Sequence, residues 1–362
     1  MAKRFGIDKW LFGSTLLLVF AGVIMVFSAS AVMANERFGS AYYFLFRQLG
    51  WAVAGLLAMF LAINFDYRRW KDPRLVFTIL GVVTLLLVAV FFLDRAHNTH
   101  RWIKFGSFSL QPSELAKPAL ILFLAFFLEG RSRSLDDWRR TLLPAVVPAA
   151  VFSVLIVLQP DLGTAMVCVG VTAAILYLAG LRPKYFAYAL VPIVPALCYL
   201  LSVPWRRERL LAYLNPWADP QGRGFHIIQS LIAVGTGGLT GVGLMEGKQK
   251  LFYLPEPQTD FIYAVVSEEM GLIGSMAIAA LFFIIAYRGF RAALRSRDNF
   301  GRYLAIGITT MIVLQAFFNM SVVLALLPTK GIPLPFISYG GTSLFVMLAS
   351  VGVLLNITQQ TD

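Results

Sequence analysis

Ten apolar runs, each close to the length needed to cross a bilayer, limit what this chain can fold into. A spanning helix needs about 20 mostly apolar residues. Runs of that kind occupy roughly 11–34, 46–65, 75–93, 112–128, 141–159, 163–181, 185–203, 262–287, 303–326 and 336–356. The chain is 58% hydrophobic and 14% charged, whereas about a quarter of a soluble domain's residues carry charge. It therefore lacks the charge to coat a water-facing surface. The expected fold is an all-α polytopic membrane protein of about ten transmembrane helices, built as a single domain over residues 1–362. The fourth and eighth runs are the least clean. Lys117 and Pro118 interrupt the fourth, and Glu268 and Glu269 the eighth.

The formal net charge of +12 does not point to nucleic acid, because the cations sit in short clusters between apolar runs. Lys3, Arg4 and Lys9 precede the first run, and Arg68, Arg69, Lys71 and Arg74 follow the second. Arg131, Arg133, Arg139 and Arg140 follow the fourth, Arg182 and Lys184 the sixth, and Arg288, Arg291, Arg295, Arg297 and Arg302 the eighth. The alternate connections are poorer in cations. Positive charge marks the cytoplasmic side, so both termini are expected there. The apolar stretch from Leu11 outruns an ordinary signal-peptide core and reads as a span. Cys168 and Cys198 both fall in apolar runs and are expected to be inert core residues, with no zinc spacing. Residues 204–261 form one long extracytoplasmic loop between spans seven and eight. Its aromatic residues and the apolar stretch Ile227 to Val234 predict short helices lying on the membrane face.

Four polar groups stand out, because charge inside or beside a bilayer is costly and marks function. The first is Arg101-Trp102-Ile103-Lys104 with Gln111-Pro112-Ser113-Glu114-Leu115-Ala116-Lys117. Pro112 suits a first helical turn, and Glu114 and Lys117 share a helix face. They read either as an ion pair that tolerates burial or, with Arg101, as a site for an anionic ligand. The second is Gln159-Pro160-Asp161-Leu162-Gly163-Thr164, where Asp161 either caps the next helix or lines a cavity. The third is Glu256-Pro257-Gln258-Thr259-Asp260, leading into span eight. Asp260 is placed there either as a helix cap or as a base. Glu268 and Glu269, deeper in that span, read as partners of cations. The fourth runs from Gly331 through Pro333, Pro335, Ser338 and Tyr339 to Gly341, a broken approach to the last span whose amides and hydroxyls suit an anion. Other patterns fail. Gly235 to Gly241 has no preceding strand and no phosphate-loop lysine, and His97 with His100 lacks a carboxylate to complete a metal site.

Taken together, these groups resemble the SEDS family (shape, elongation, division and sporulation) over nearly the whole chain. The most specific stretches are Arg101-Trp102-Ile103, Gln111 to Lys117, Gln159 to Thr164, Tyr253-Leu254-Pro255-Glu256 with Thr259-Asp260-Phe261-Ile262, and Pro333-Leu334-Pro335 with Ser338-Tyr339-Gly340-Gly341. Gln249 to Pro257 and Leu327 to Gly331 incline it to the division type over the elongation type. Where family members often carry His before the Thr-Asp pair, this sequence has Gln258. The resemblance implies a glycosyltransferase that polymerises lipid II, an undecaprenyl-pyrophosphate-linked disaccharide-peptide, into peptidoglycan. It also implies a class B penicillin-binding protein and other division proteins as partners, in the bacterial inner membrane at the septum. It places the essential aspartate at Asp260. On that reading Arg101 and Lys117 meet the pyrophosphate, and Glu114, Asp161, Glu256 and Ser338 support the substrate. Arg206, Arg207 and Arg209 are further candidates. A divalent cation, Mg or Mn, suits a pyrophosphate, although no ligand cluster demands one. A flippase for lipid-linked precursors and a non-catalytic division scaffold are the rival readings.

Overall fold

The chain is described here from a computed structural model covering residues 6–93, 100–105, 108–131, 135, 137–251 and 253–360. Lys3, Arg4, His97 and Arg133 fall outside the described residues. Twelve α-helices account for most of the rest. They are α1 (Lys9–Phe38), α2 (Tyr43–Asn64), α3 (Pro73–Leu93), α4 (Pro112–Glu129), α5 (Leu143–Leu158), α6 (Leu162–Leu178), α7 (Pro183–Ser202), α8 (Pro204–Leu214), α9 (Phe225–Gly237), α10 (Ile262–Arg295), α11 (Asn299–Val323) and α12 (Gly341–Thr358). Among the described residues the only strands are an antiparallel pair, β1 (Ile103–Phe105) with β2 (Phe108–Leu110), between α3 and α4.

All ten expected spans are present as helices, α1 to α7 and α10 to α12. Eight are long and apolar enough to cross a membrane by length and composition. The other two are α4, which carries Glu114, Lys117 and Glu129, and α6, which has 17 residues. The outer faces carry large apolar side chains: Phe60 is 64% exposed, Leu85 70% and Phe92 73%. Water would not tolerate so broad an apolar surface, whereas lipid requires one.

Local chemistry sets the helix ends. Asp8 caps α1 by accepting from the amides of Trp10 and Leu11, both at 3.1 Å, and Gly39 closes that helix with φ 70°. Asp298 caps α11 through the Gly301 amide at 2.7 Å. Small residues allow close packing. Gly352 of α12 lies against the Met59 backbone of α2, and Gly307 of α11 lies against Ile121 of α4. α11 packs against α4, α6 and α10, so it runs through the core. α7 sits at the periphery with no buried residue. Cys198 on α7 is therefore exposed, contrary to its expected place in the core, while Cys168 is buried.

Ion pairs tie together the connections that the sequence assigns to one side. Asp8 meets Arg288 at 2.6 Å, Arg68 meets Asp298 at 3.2 Å, and Lys71 meets Glu129 at 2.7 Å. The 204–261 segment contains short helices, as its sequence predicts: α8 and α9.

The glycines of that loop have a structural task. α10 is interrupted at Gly271 (φ 62°, ψ −161°), which frees backbone groups within it. The Glu268 and Glu269 carbonyls accept from the amides of Val242 and Gly243 at 3.0 and 3.1 Å, and the Leu272 amide donates to the Gly238 carbonyl at 2.9 Å. Any side chain at Gly237, Gly241 or Gly271 would collide with opposing backbone. The two backbones thus splice into each other. The Glu268 carboxylate accepts the Lys248 and Gln249 amides, and Glu269 accepts Lys250 at 2.6 Å and Ser28 at 2.7 Å. Both glutamates pin the loop.

Candidate active site

Asp260 sits one residue before the Phe261 that precedes α10, on a segment tied by side chains of α11 and of the approach to α12. Asn319 of α11 donates through Nδ2 to the Asp260 carbonyl at 2.9 Å and to the Ile332 carbonyl at 2.7 Å. One turn back, Gln315 donates to the Pro333 carbonyl at 3.0 Å. The Ser338 hydroxyl donates to the Thr259 carbonyl at 2.6 Å and accepts from the Leu334 amide at 2.7 Å. The Tyr339 amide donates to the Gln258 carbonyl at 2.8 Å. Prolines 333 and 335 keep this approach to α12 out of a helix, so its backbone groups remain available for such bonds. Gly331 lies directly against the Asp260 carboxyl, where a Cβ would come 2.5 Å from Oδ2.

The Asp260 carboxyl opens onto a cavity of about 410 Å³, also lined by Trp205, Arg209, Arg223, His226, Glu256 and Lys330. Burial pushes the Asp260 carboxyl up to about 6, and the Glu256 charge adds to the rise, while Arg101 and Arg209 oppose it. Burial lowers Lys330 to about 8, with Asp161 opposing that fall and Arg206 and Arg209 adding to it. His226 stacks on Phe261 and is held below its ordinary value by burial and by Arg209. A histidine shifted toward its neutral form, a carboxyl raised to about 6 and several cations thus share one opening. That combination suits proton abstraction beside a bound anion.

Of the residues singled out in the sequence, Asp260 and Glu256 line the cavity. Gln258 donates through Nε2 to the Glu256 carboxylate at 2.8 Å. Arg209 lines the cavity, whereas Arg206 lies over the Trp205 ring and Arg207 is exposed on α8. Arg101 reaches across to the α5–α6 turn, where Nε donates to the Gln159 carbonyl at 2.9 Å and Nη2 to that of Pro160. Its charge still acts on both Asp260 and Arg209. Asp161 caps α6 through the Thr164 amide at 3.1 Å and also accepts from Gln111 at 3.3 Å.

Lys117 and Glu114 stand elsewhere. They are each 2% exposed, pair at 2.8 Å, and Lys117 also donates to Gln315 at 2.7 Å. The pair does not reach the cavity wall. Ser338 lies behind the wall and supports Thr259 through the bond given above. Lys330, His226, Gln315 and Asn319 went unremarked as site residues in the sequence. Gln315 and Asn319 were visible as amides four apart in an otherwise apolar run, and Lys330 as the cation preceding Gly331. Among the described residues no group of three His, Cys, Asp or Glu side chains comes together to hold a metal ion.

The fold and the site together define a polytopic helical membrane protein in which a titratable carboxylate and several cations line one cavity. The chain belongs to the family described as "Cell cycle protein", which takes in FtsW, RodA and SpoVE and matches residues 8–362. A probable peptidoglycan glycosyltransferase FtsW of Geobacter metallireducens is 48% identical over 339 residues, spanning 93% of this chain and 90% of that one. Stage V sporulation protein E of Bacillus subtilis is 45% identical over 361 residues, spanning 99% and 98%. Among solved structures, a chain of a peptidoglycan synthase complex that coordinates polymerization and crosslinking superposes with a TM-score of 0.79 at 29% identity, over 98% of each chain. The rod shape determining protein RodA of Thermus thermophilus superposes with a TM-score of 0.71 at 26% identity, over 99% and 98%.

Proposed function

We propose that this chain is a peptidoglycan glycosyltransferase of the FtsW type, polymerising lipid II into septal glycan strands with Asp260 as its base. The observation that carries the reading is the Asp260 cavity: a carboxylate poised near 6 faces cations across an opening of about 410 Å³. The family membership and the 48% identity to a protein named for this activity support it.

The donor sugar hangs from a polyprenyl pyrophosphate. A hydroxyl of the acceptor sugar attacks the donor's anomeric carbon, forming the new glycosidic bond with inversion. The bond from that carbon to the pyrophosphate oxygen breaks, and the polyprenyl pyrophosphate leaves with the electron pair. Asp260 takes the hydroxyl proton, which it does well because its pKa lies close to the working pH. Arg209, with the charge of Arg101 behind it, offsets the charge developing on the leaving group. A magnesium or manganese ion beside the pyrophosphate would find Glu256 as its protein ligand, with phosphate oxygens and water completing the shell. It would supply further charge neutralisation there.

The partner in this reading is a class B penicillin-binding protein, whose transpeptidase would crosslink the emerging strand. Similarity to a chain of a complex that couples polymerization with crosslinking supports it. The location is the inner membrane at the septum. Incubating the purified complex with labelled lipid II and resolving products on a gel tests the reading. Long glycan strands are expected. Movement of lipid II across liposomes without any polymer would identify a carrier instead.

A further inference from the structure

We propose that Lys330 and Arg209 together form an anion cradle that receives the pyrophosphate of the lipid-linked donor beside Asp260. The proposal rests on the glycosyltransferase reading and assigns the cations that hold its leaving group. It starts from a contrast among the lysines. Lys117 and Lys250, both deeply buried, each have a carboxylate partner, at 2.8 and 2.6 Å. Half-buried Lys330 has none within ion-pairing distance among the described residues. Its Nζ rests 3.0 Å from the sulfur of Met166, a weak acceptor.

Among the described residues Arg209 has no carboxylate within ion-pairing distance either, although the Asp260 charge acts on it. Its guanidinium carbon lies 5.2 Å from the centre of the Trp205 ring, a cation–π contact. Arg223, the third cation on the wall, is already paired with Glu208 at 3.2 Å. Lys330 and Arg209 also repel each other and feel Arg206 and Arg101. Asp161 and Asp260 offset part of this repulsion from a distance, but gathering partly desolvated like charges that no carboxylate directly pairs is unfavourable for the empty protein. A dianionic ligand removes that penalty and uses both donor types. The planar guanidinium grips two oxygens of one phosphate, and the ammonium meets the other as a point charge. Gly331, directly after Lys330, keeps the ground between this cradle and the Asp260 carboxyl clear. The leaving group and the base therefore face one opening from adjacent walls.

The test compares a polyprenyl pyrophosphate with the polyprenyl alcohol of the same chain length, each titrated against the protein–transpeptidase complex in nanodiscs. Lys330→Gln and Arg209→Gln are each expected to weaken binding of the pyrophosphate by about tenfold or more, leaving the alcohol unaffected. Lys330→Arg should restore much of the loss. Thermal stability of ligand-free Lys330→Gln should equal or exceed wild type, which a merely structural lysine would not give. Wild-type affinity for the pyrophosphate in both glutamine variants, with polymerisation intact, would overturn the cradle and leave the glycosyltransferase standing. Selective loss of pyrophosphate binding in the variants, when the wild-type complex itself makes no polymer, would uphold the cradle and overturn the glycosyltransferase.

Discussion

Asp260 is costly to the fold in the ionised form that its proposed chemistry needs. Burial and the Glu256 charge lift its carboxyl to about 6, above its unfolded value near 3.9. A raised carboxyl pKa means the folded state favours the proton. Its contribution to stability is therefore lost as pH climbs from about 4 through 6. Asp260→Asn removes the penalty, so the variant should melt about 2 °C or more above wild type at pH 7.5. That gain should shrink toward zero as pH falls below 5, and thermal melts of the purified protein at both pH values check it. The same shift predicts the catalytic pH profile. The base must be ionised, so kcat/KM should rise through about 6. Lys330 must be charged, so it should fall again through about 8. In Lys330→Arg the alkaline limb should move out of range. Gly331→Ala places a methyl against the Asp260 carboxyl. It should cut polymerisation roughly 100-fold with little change in melting, since small displacements at a reacting group have effects of that size.

At the scale of elements, two devices hold the site: the splice between the glycine turn and the break in α10, and the amide ladder of α11. The splice depends on glycine at positions where opposing backbones meet, and on the buried Lys250–Glu269 pair. Lys250→Met leaves Glu269 buried with Ser28 and the Met245 amide only. Breaking such a pair costs about 3–5 kcal/mol. A melting temperature clearly below wild type is expected, and adding Glu269→Gln should recover part of the loss. The ladder explains why Glu114 and Lys117 matter without touching the cavity. Lys117 orients Gln315, Gln315 holds Pro333, and Asn319 one turn on holds both Ile332 and Asp260. Spacing within one helix showed that Glu114 and Lys117 would pair. It could not show that α11 would seal Lys117 off from the cavity, because that follows from packing between helices distant in sequence. Lys330 was missed for a related reason. A lone cation in a short loop looks like a topology marker until the fold sets it on the cavity wall, where none of the described carboxylates pairs with it directly.

For the whole molecule, hydrophobicity was a good guide because a bilayer leaves the backbone few choices. All ten expected spans are helices, and the two that fall short in length or apolarity, α4 and α6, abut the polar centre. The β1–β2 pair had one local signal, the Gly106-Ser107 dipeptide between its strands, but strands of three residues are too short to stand out by alternation. The charge pattern assigns the cavity to the outside. In a Cys198→Ser background, a cysteine at the exposed Leu239 should react with a membrane-impermeant maleimide in intact spheroplasts, and one at the exposed Leu294 should not. Reversed labelling would turn the topology over. The claim on which everything else depends is that Asp260 is the base. Its most direct test is the rate of glycan formation from labelled lipid II by the Asp260→Asn protein bound to its transpeptidase. Removing a general base should slow polymerisation by about 10²–10⁴-fold while the partner still co-purifies. A variant that polymerises at the wild-type rate would contradict the account.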